Sequence, residues 1–584
     1  MKSVLRLSLM LLLSAALFTS CKKKVPMQTR FIPKNASFVA SVNAGSLKDK
    51  ISKSQASLEN ILKNMAGNND TALNKGKKEW EDLKNSGIDL EENFYLWVVQ
   101  KGGGSLSNMR AGNAVISAIG ALKDAGKFEA YLKKKDATLE IKKDKDYNYV
   151  TKDDDKMIAW GKDAVVMMSY QKSYAGGMVY DSITGDYSLQ SPANANLLND
   201  LKAEMTTSFS QKESESVAEI PEFRDLAQEK SDASFWVNSS ASIEDLPLPL
   251  PKLKDLLSNS FTAATLNFDD GKIVMNSKSY SGKAMKDLLK KYTGPQVDLS
   301  LVERFPSSDI NGFMVFSFDP QLILGLVRYM EVGGMADGYL TKFMGSNYTL
   351  QDALKAIKGD IAVVVSDFAF TADDSSFSPG MRSYTLPKVK LVFNMPVGDV
   401  AEKNKLMDRL VAMQMAVKTN GVYKPKGNLP AAGFTAEVND KSFIIASNDA
   451  LLADYSANKS KAKLKEGVTK DFKGKSGTFY LDIQSVLSAL AANKSMVAAG
   501  DHVLPEAQKT FNDVRGYIDN FNGKSVEGHF ELRFMNEKEN SLSTMINFAS
   551  KVSDITWKNR TVNMQGMSDD MMPMDTLPMD PKEK

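Results

Sequence analysis

Residues 262–280 read TAATLNFDDGKIVMNSKSY, two alternating segments separated by Asp269-Asp270-Gly271. Alternation of apolar and polar residues indicates strands with one face on a core. An Asp-Gly turn between two such segments is a strong signal for a β-hairpin. The sequence therefore predicts an antiparallel hairpin at this position.

Four further stretches share one pattern, an apolar run rich in aromatic and β-branched residues that ends in Asn or Asp. They are residues 36–43, 233–238, 312–319 and 477–482. Such runs are typical of buried strands, and a terminal Asn or Asp can cap a following helix. We predict helices after three of them, at residues 47–62, 321–330 and 483–491.

The elements between these runs recur in the same order along the chain. In each half two strands precede a helix, then a hairpin, then a longer closing hairpin. The matched stretches are residues 95–99, 114–119, 127–135, 157–168 and 262–280 in the first half, and residues 361–365, 391–395, 404–417, 443–449 and 529–548 in the second. We therefore predict a tandem duplication, with homologous halves at residues 31–291 and 302–552.

This order of elements also predicts the fold class. Hairpins dominate, helices are interspersed, and strict βαβ alternation is absent. The expectation is an α+β protein with antiparallel sheets and helices packed on them.

The N-terminus has the pattern of a secretory signal peptide. Lys2 and Arg6 precede an apolar stretch at residues 7–18, which is too short to span a membrane, and Cys21 follows small residues. The stretch before Cys21 resembles the lipobox of bacterial lipoproteins, although Phe18 replaces the usual Leu. The resemblance implies a signal peptide at residues 1–20, lipid attachment at Cys21 and a lipid tether at residues 21–30.

Composition excludes several classes of protein. Cys21 is the single cysteine in 584 residues and there are 2 histidines, so an internal disulfide and Cys-rich metal sites are excluded. Without Lys2 and Arg6, 72 basic residues face 71 acidic ones. Such a balance provides no strong attraction to nucleic acid, so we predict no nucleic-acid partner.

The layout is similar to a family of Bacteroidetes lipoproteins known as a domain of unknown function. The similarity depends on Cys21 with the basic run 22–24, on residues 31–36 (FIPKNA) at the first strand, and on the long α+β body. It implies attachment to the outer membrane. Acidic residues after the cysteine accompany surface export in such bacteria, so the basic run favours the periplasmic side over the cell surface.

No stretch carries a recognisable catalytic or metal-binding motif. The glycines at residues 102–104 lack the Gly-Lys-Ser/Thr and helix of a phosphate loop. Asp144, Asp146 and Asn148 alternate as in a calcium loop, but Tyr149 occupies the position that needs glycine. His502 is predicted in a loop and His529 on a strand. We predict no catalytic residues, no metal and no cofactor.

The C-terminal residues 553–584 are rich in Met, Asp and Pro, and we predict a disordered tail. Its six thioethers are Met564, Met567, Met571, Met572, Met574 and Met579. Thioethers suit Cu(I), so a copper-binding tail is the alternative interpretation.

These features predict a lipid-anchored, non-enzymatic binding or scaffold protein of the cell envelope, whose protein or glycan partner the sequence does not identify. One alternative is a hydrolase that uses paired carboxylates, which 71 acidic residues leave open. Another is a surface glycan-binding lipoprotein with tryptophans on its binding face. Trp97, Trp160 and Trp236 lie in apolar stretches, which favours core packing instead.

Overall fold

A computed structural model describes most of the chain. The described residues are 25–52, 70–101, 113–171, 178–180, 187–189, 197–243, 251–307, 310–345, 347–371, 386–427, 433–459, 462, 464, 467–492 and 503–569. The predicted signal peptide, Cys21, the glycines at 102–104 and His502 lie outside these residues.

The strands are numbered in chain order within the described residues. They are β1 Phe38–Asn43, β2 Asn93–Gln100, β3 Ala114–Ala121, β4 Lys142–Lys143, β5 Asn148–Lys152, β6 Lys156–Trp160, β7 Ala164–Gln171, β8 Met178–Tyr180, β9 Tyr187–Leu189, β10 Ala233–Asn238, β11 Phe261–Asp269, β12 Lys272–Tyr280, β13 Ile310–Ser317, β14 Asp360–Thr371, β15 Leu386–Pro396, β16 Ala416–Thr419, β17 Val422–Pro425, β18 Thr435–Val438, β19 Ser442–Ala446, β20 Gly477–Asp482, β21 Phe511–Ile518 and β22 Ser525–Phe534.

The helices are numbered in the same way. They are α1 Ala44–Ser52, α2 Asp70–Lys84, α3 Ala125–Lys135, α4 Leu197–Ser210, α5 Pro221–Gln228, α6 Ser239–Ile243, α7 Pro251–Leu257, α8 Lys283–Lys291, α9 Ser300–Glu303, α10 Gln321–Tyr329, α11 Gly333–Met344, α12 Leu350–Lys355, α13 Val400–Ala412, α14 Asp449–Ser456, α15 Ile483–Ala492, α16 Val503–Thr510 and α17 Ser541–Asp569. The protein is therefore α+β, as predicted.

The described residues form two compact units. Unit 1 contains those up to Asn43 and those of Gly87–Asp245, and unit 2 contains those of Ala44–Ser86 and Leu246–Lys584.

Unit 1 contains an antiparallel sheet with the strand order β10-β1-β2-β3-β7-β6-β5-β4. One face of this sheet is buried. Trp236, Val39 and Trp97 are cross-strand neighbours on β10, β1 and β2, and all three are buried. Phe223 of α5 lies edge-on against Trp236, with ring centroids 5.5 Å apart. Helix α4 packs on β6 and β7.

Unit 2 contains an antiparallel sheet with the strand order β11-β12-β22-β21-β20-β13-β14-β15-β19-β18-β17-β16. One face of β13, β14, β15 and β19 carries the main core, covered by α9 and α14. Asn394 of β15 donates a hydrogen bond to the Tyr455 hydroxyl (2.8 Å), which donates to the carbonyl of Leu301 (2.8 Å). These bonds satisfy polar groups that α14 and α9 bring into the core.

The hairpin predicted at residues 262–280 is confirmed. Strands β11 and β12 pair in register from Phe261 opposite Tyr280 to Asp269 opposite Lys272. Gly271 in the turn has a φ of +69°, a conformation that favours glycine. The outer strand β12 pairs along its whole length with β22. For this reason unit 2 includes residues 251–291, which the sequence assigns to the first half.

Two sequence predictions in the second half are wrong. Residues 542–548 are not the second arm of a hairpin but the start of α17, because Asn540 caps a helix there, accepting from the Leu542 N–H at 3.1 Å. The hairpin is instead β21–β22. The helix predicted to end at residue 417 ends at Ala412, and Ala416–Thr419 pairs as β16.

The C-terminal tail, which the sequence predicts to be disordered, begins as part of a helix. Helix α17 continues to Asp569, so disorder from residue 553 is wrong for residues 553–569. Residues 553–569 contain no proline, the residue that most disrupts a helix, and the next proline in the chain is Pro573. Residues 570–584, with most of the methionines considered for copper, lie outside the described residues.

Candidate apolar binding faces

The second face of the unit 2 sheet is also apolar. Paired residues on neighbouring strands point to the same face, so the register defines its rows. One row crosses β19, β15, β14, β13, β20, β21, β22, β12 and β11 as Ile445, Phe393, Val363, Met314, Phe479, Gly516, Phe530, Met275 and Leu266. The adjacent row, from β15 to β11, is Leu391, Val365, Gly312, Leu481, Val514, Leu532, Ile273 and Phe268.

The side chains of these two rows are only partly covered. Met314 is 51% exposed, Leu481 43%, and Phe316 in the next row 40%. On the opposite face of the same strands, Phe313, Val315 and Tyr480 are buried. An antiparallel sheet with one core face usually presents polar residues on the other. An apolar second face therefore needs a covering layer or an apolar ligand.

A layer of helices lies over this second face. Phe548 of α17 contacts Phe511, with ring centroids 5.0 Å apart, and Phe511 is paired with Phe534 of β22. Phe534 has the same parity as Phe530 and therefore lies on the apolar face. Helix α17 packs on α16, and α16 packs on α15.

Helix α15 belongs to the same layer. It packs on β13, β14 and β21 but contributes no residue to the core on the other face. Seven of the ten residues in its sequence IQSVLSALAA are apolar, yet none of its residues is buried. Helix and sheet thus present apolar surfaces that remain partly open.

Unit 1 repeats this arrangement on its own sheet. Its second face carries the row Phe235, Ala40, Leu96, Ala118, Met167 and Ile158, and the neighbouring row Val237, Phe38, Val98 and Ile116. Among the described residues of unit 1, the exposed large apolar side chains are Val42, Leu96, Met167 and Val237. All four lie on this one face.

Part of the unit 1 face is closed by α3. Phe128 and Leu132 of this helix form a small core with Val150, Trp160 and Val165. Asp124 caps the helix by accepting from the Lys127 N–H at 3.0 Å. Among the described residues α3 therefore covers this face at β5, β6 and the start of β7, whereas Met167 farther along β7 and the side chains of Val237, Val42 and Leu96 remain exposed.

The other side of β12, β22 and β21 in unit 2 is polar. His529 stacks on Tyr517 (5.0 Å), its Nδ1 lies 2.7 Å from Asn276 Oδ1, and its Nε2 donates to Glu531 at 3.2 Å. The hydrogen bond from His529, with the charge of Lys272, lowers the pKa of Glu531 to about 2, although burial opposes the shift. His529 is a strand residue, as predicted.

Two buried carboxylates lie opposite each other on β20 and β21. Asp513 accepts two hydrogen bonds from Arg515, at 2.8 and 3.0 Å, and Asp482 accepts from the Ser485 N–H at the start of α15 (3.2 Å). Burial raises the pKa of Tyr480 beside them, and both carboxylates raise it further. Each carboxylate thus has a structural partner, and the pair gives no specific support to a hydrolase.

Trp97, Trp160 and Trp236 are buried in cores, as expected. Asp144 accepts from the Lys145 N–H and the Tyr147 hydroxyl, in a turn before β5. In the described ranges no cluster of three His, Cys, Asp or Glu residues is arranged to hold a metal. In the same ranges no helix is long and apolar enough to cross a bilayer.

Comparison with known proteins adds little to this description. No protein-family model and no curated protein matches the chain. Crystal forms I, III and IV of TP0453 are 9%, 8% and 8% identical to it, each covering 45% of this chain and 81%, 85% and 83% of that protein. Their TM-score is 0.22, so this likeness carries no argument about fold or function.

The apolar faces were missed in the sequence because each strand was interpreted through its buried residues. The signal is present in β13, which reads INGFMVFS. Apolar residues occupy both parities of this strand, and an antiparallel strand facing water on one side would alternate.

Proposed function

We propose that this protein is a lipid-anchored, non-enzymatic cell-envelope protein that binds apolar chains on the second faces of its sheets. The observation that carries the proposal is the pair of apolar rows in unit 2, which lie under helices and stay partly exposed. Large contiguous apolar patches on proteins mark interaction sites. The same arrangement in unit 1 gives a second, separate instance.

Residue chemistry supports binding of a hydrocarbon. The two long rows of unit 2 contain only apolar side chains and two glycines, Gly312 and Gly516. Three methionines, Met314, Met275 and Met167, lie on the two faces. Methionine adapts its shape readily and is common on surfaces that accept varied apolar partners.

Titration of the full mature chain with cis-parinaric acid, a fluorescent fatty acid, tests the proposal. Met314→Gln and Met167→Gln place an amide on the two faces, and we expect each to weaken binding at its own unit about fivefold. Met415 is the matched control, since it is 55% exposed beside β16, against 51% for Met314 and 52% for Met167. Failure of the wild-type chain to bind the probe would overturn the proposal.

The anchor and location belong to the same proposal. The lipobox-like stretch supports lipid attachment at Cys21, and the basic residues 22–24 support an outer-membrane lipoprotein that faces the periplasm. In cells fed labelled palmitate we expect label on the wild type and none on Cys21→Ser. Cleavage of the protein by protease added to intact cells would contradict the periplasmic placement.

We also infer that the two halves are a tandem duplication. The strand order β10-β1-β2-β3-β7-β6-β5-β4 of unit 1 matches β20-β13-β14-β15-β19-β18-β17-β16 of unit 2 strand for strand. The hairpins β11–β12 and β21–β22 follow β10 and β20 in the chain. This match supports one binding face in each half.

A further inference from the structure

Three glycines on the unit 2 face each lie beneath a large side chain of the neighbouring strand. A Cβ atom on Gly516 would come within 2.4 Å of Phe479 Cε1, and one on Gly477 within 3.0 Å of Phe316 Cδ2. A Cβ on Gly312 would come within 3.3 Å of Leu481 Cδ1. Each large side chain therefore leans over the strand beside it and leaves a low, flat surface, which we call the floor.

The floor is long. The first apolar row crosses nine strands, and neighbouring strands are about 4.8 Å apart, so the row extends about 38 Å. One leaflet of a bilayer holds its acyl chains within about 15 Å, half of the hydrocarbon thickness. The row therefore accommodates the full length of a lipid acyl chain.

The chemistry of the floor excludes a peptide as its natural occupant. The rows offer no side-chain hydrogen-bonding group, and a buried peptide without partners for its N–H and C=O groups is unfavourable. A hydrocarbon chain has no such groups. The helices over the floor also favour a slim occupant, because a folded protein would have to displace α15 and α17 to reach it.

We propose that the unit 2 floor binds an unbranched acyl chain that lies across the strands. The large side chains that lie over glycines, Phe316 above all, select against branched chains. This inference rests on the proposed function. Phe316 is suited to the role because the residue is 40% exposed and its ring lies over Gly477, which leaves no room for the ring to sink. Because the floor is flat, the methyl branches of a bound chain would have to project away from it, toward the helices that cover it.

The test compares hexadecanoic acid with its methyl-branched analogue phytanic acid, each displacing cis-parinaric acid from the full mature chain. Met167→Gln is used as the background, because it weakens binding at unit 1 and the comparison then reports mainly on unit 2. We expect this background to prefer the straight chain about tenfold, since one methyl group in an apolar site is worth at least that much.

Two variants then probe the floor. Phe316→Ala deepens the floor over Gly477, and we expect the preference for the straight chain to fall to about threefold or less. Gly477→Ala raises Phe316, and we expect both acids to bind more weakly; the nearest atom to the added Cβ outside Phe316 is Ile518 Cβ, at 3.6 Å. Circular dichroism confirms the fold of each variant, and Met415→Gln is the control that keeps the full preference.

The outcomes separate the two proposals. If the wild-type chain binds neither acid, the proposed function fails and this inference fails with it. If the chain binds both acids equally well, or Phe316→Ala keeps the full preference for the straight chain, the floor does not select its ligand and only this inference is overturned.

Discussion

Asp513 and Arg515 form a bidentate ion pair two residues apart on β21, with Nε donating to Oδ1 at 2.8 Å and Nη2 donating to Oδ2 at 3.0 Å. Both side chains are almost completely buried. The pair lies on the polar side of unit 2, beside the core and opposite the apolar rows. On this side of β21 a buried ion pair therefore holds the strand in place, and on the other side apolar contacts do.

Replacement of Asp513 tests how much this pair stabilises unit 2. Asp513→Asn leaves the guanidinium of Arg515 buried without its counter-charge, so we expect a loss of about 3–5 kcal/mol in the free energy of unfolding. Asp519→Asn is the matched control, because Asp519 accepts from Lys475 at 2.7 Å in a more exposed position. The control should cost no more than about 1 kcal/mol. Urea unfolding measures both, and equal losses would contradict the prediction.

Glu531 makes stability depend on pH in the acid range. Its pKa of about 2 lies below the ordinary 4.5, so the folded state binds its proton more weakly than the unfolded state. The stabilisation is complete above about pH 5 and is lost as the pH falls toward 2, with a full size of about 3 kcal/mol.

Glu531→Gln removes this titration. We expect the free energy of unfolding of the wild type to fall more steeply between about pH 5 and pH 3 than that of the variant. Glu537→Gln is the control, since Glu537 is an exposed partner of Arg533. Parallel curves for the wild type and Glu531→Gln would show that the partners of Glu531 do not lower its pKa.

The sequence predicts the elements whose signals are local. It fails where an element depends on contacts between residues that are distant in the chain. The hairpin at residues 261–280 was predictable because alternation and an Asp-Gly turn are both local. The assignment of residues 542–548 to a strand failed because the helix cap at Asn540 was not recognised. The pairing of β12 with β22 was not predictable, since it joins residues about 250 positions apart and depends on which strand edges remain free.

The binding faces illustrate the same limit. Apolar residues at both parities of β13 show that both of its faces are apolar, but the sequence does not show which face lies in the main core. That assignment depends on α9 and α14, which cover one side. The partial exposure of Met314 depends on how α15 to α17 pack, and helix packing is not encoded in the strand itself.

Gly271 and Gly421 provide a matched pair for the cost of a side chain in a hairpin turn. Both have positive φ, +69° and +79°, but a Cβ on Gly271 would lie 2.5 Å from Glu537 Cα, and one on Gly421 would meet nothing within 4 Å. We expect Gly421→Ala to cost about 1 kcal/mol, from backbone strain alone. Gly271→Ala adds a clash with the backbone and should cost about 3 kcal/mol or more. Thermal unfolding of the two variants measures the difference, and equal costs would show that the segment at Glu537 moves freely away.

The contact between Phe548 and Phe511 holds α17 on the apolar face, so its removal tests the relation between helix layer and binding. Phe548→Ala deletes an edge-to-face pair worth about 1 kcal/mol beyond the buried area. We expect the fold to persist and the apolar rows to become more open, with stronger fluorescence of the dye ANS and faster release of bound cis-parinaric acid. Tyr339→Ala is the control, since Tyr339 on α11 is an exposed aromatic residue outside both rows. Unchanged dye binding and release in Phe548→Ala would show that α17 does not cover the rows, and the ligand would then bind to an open sheet.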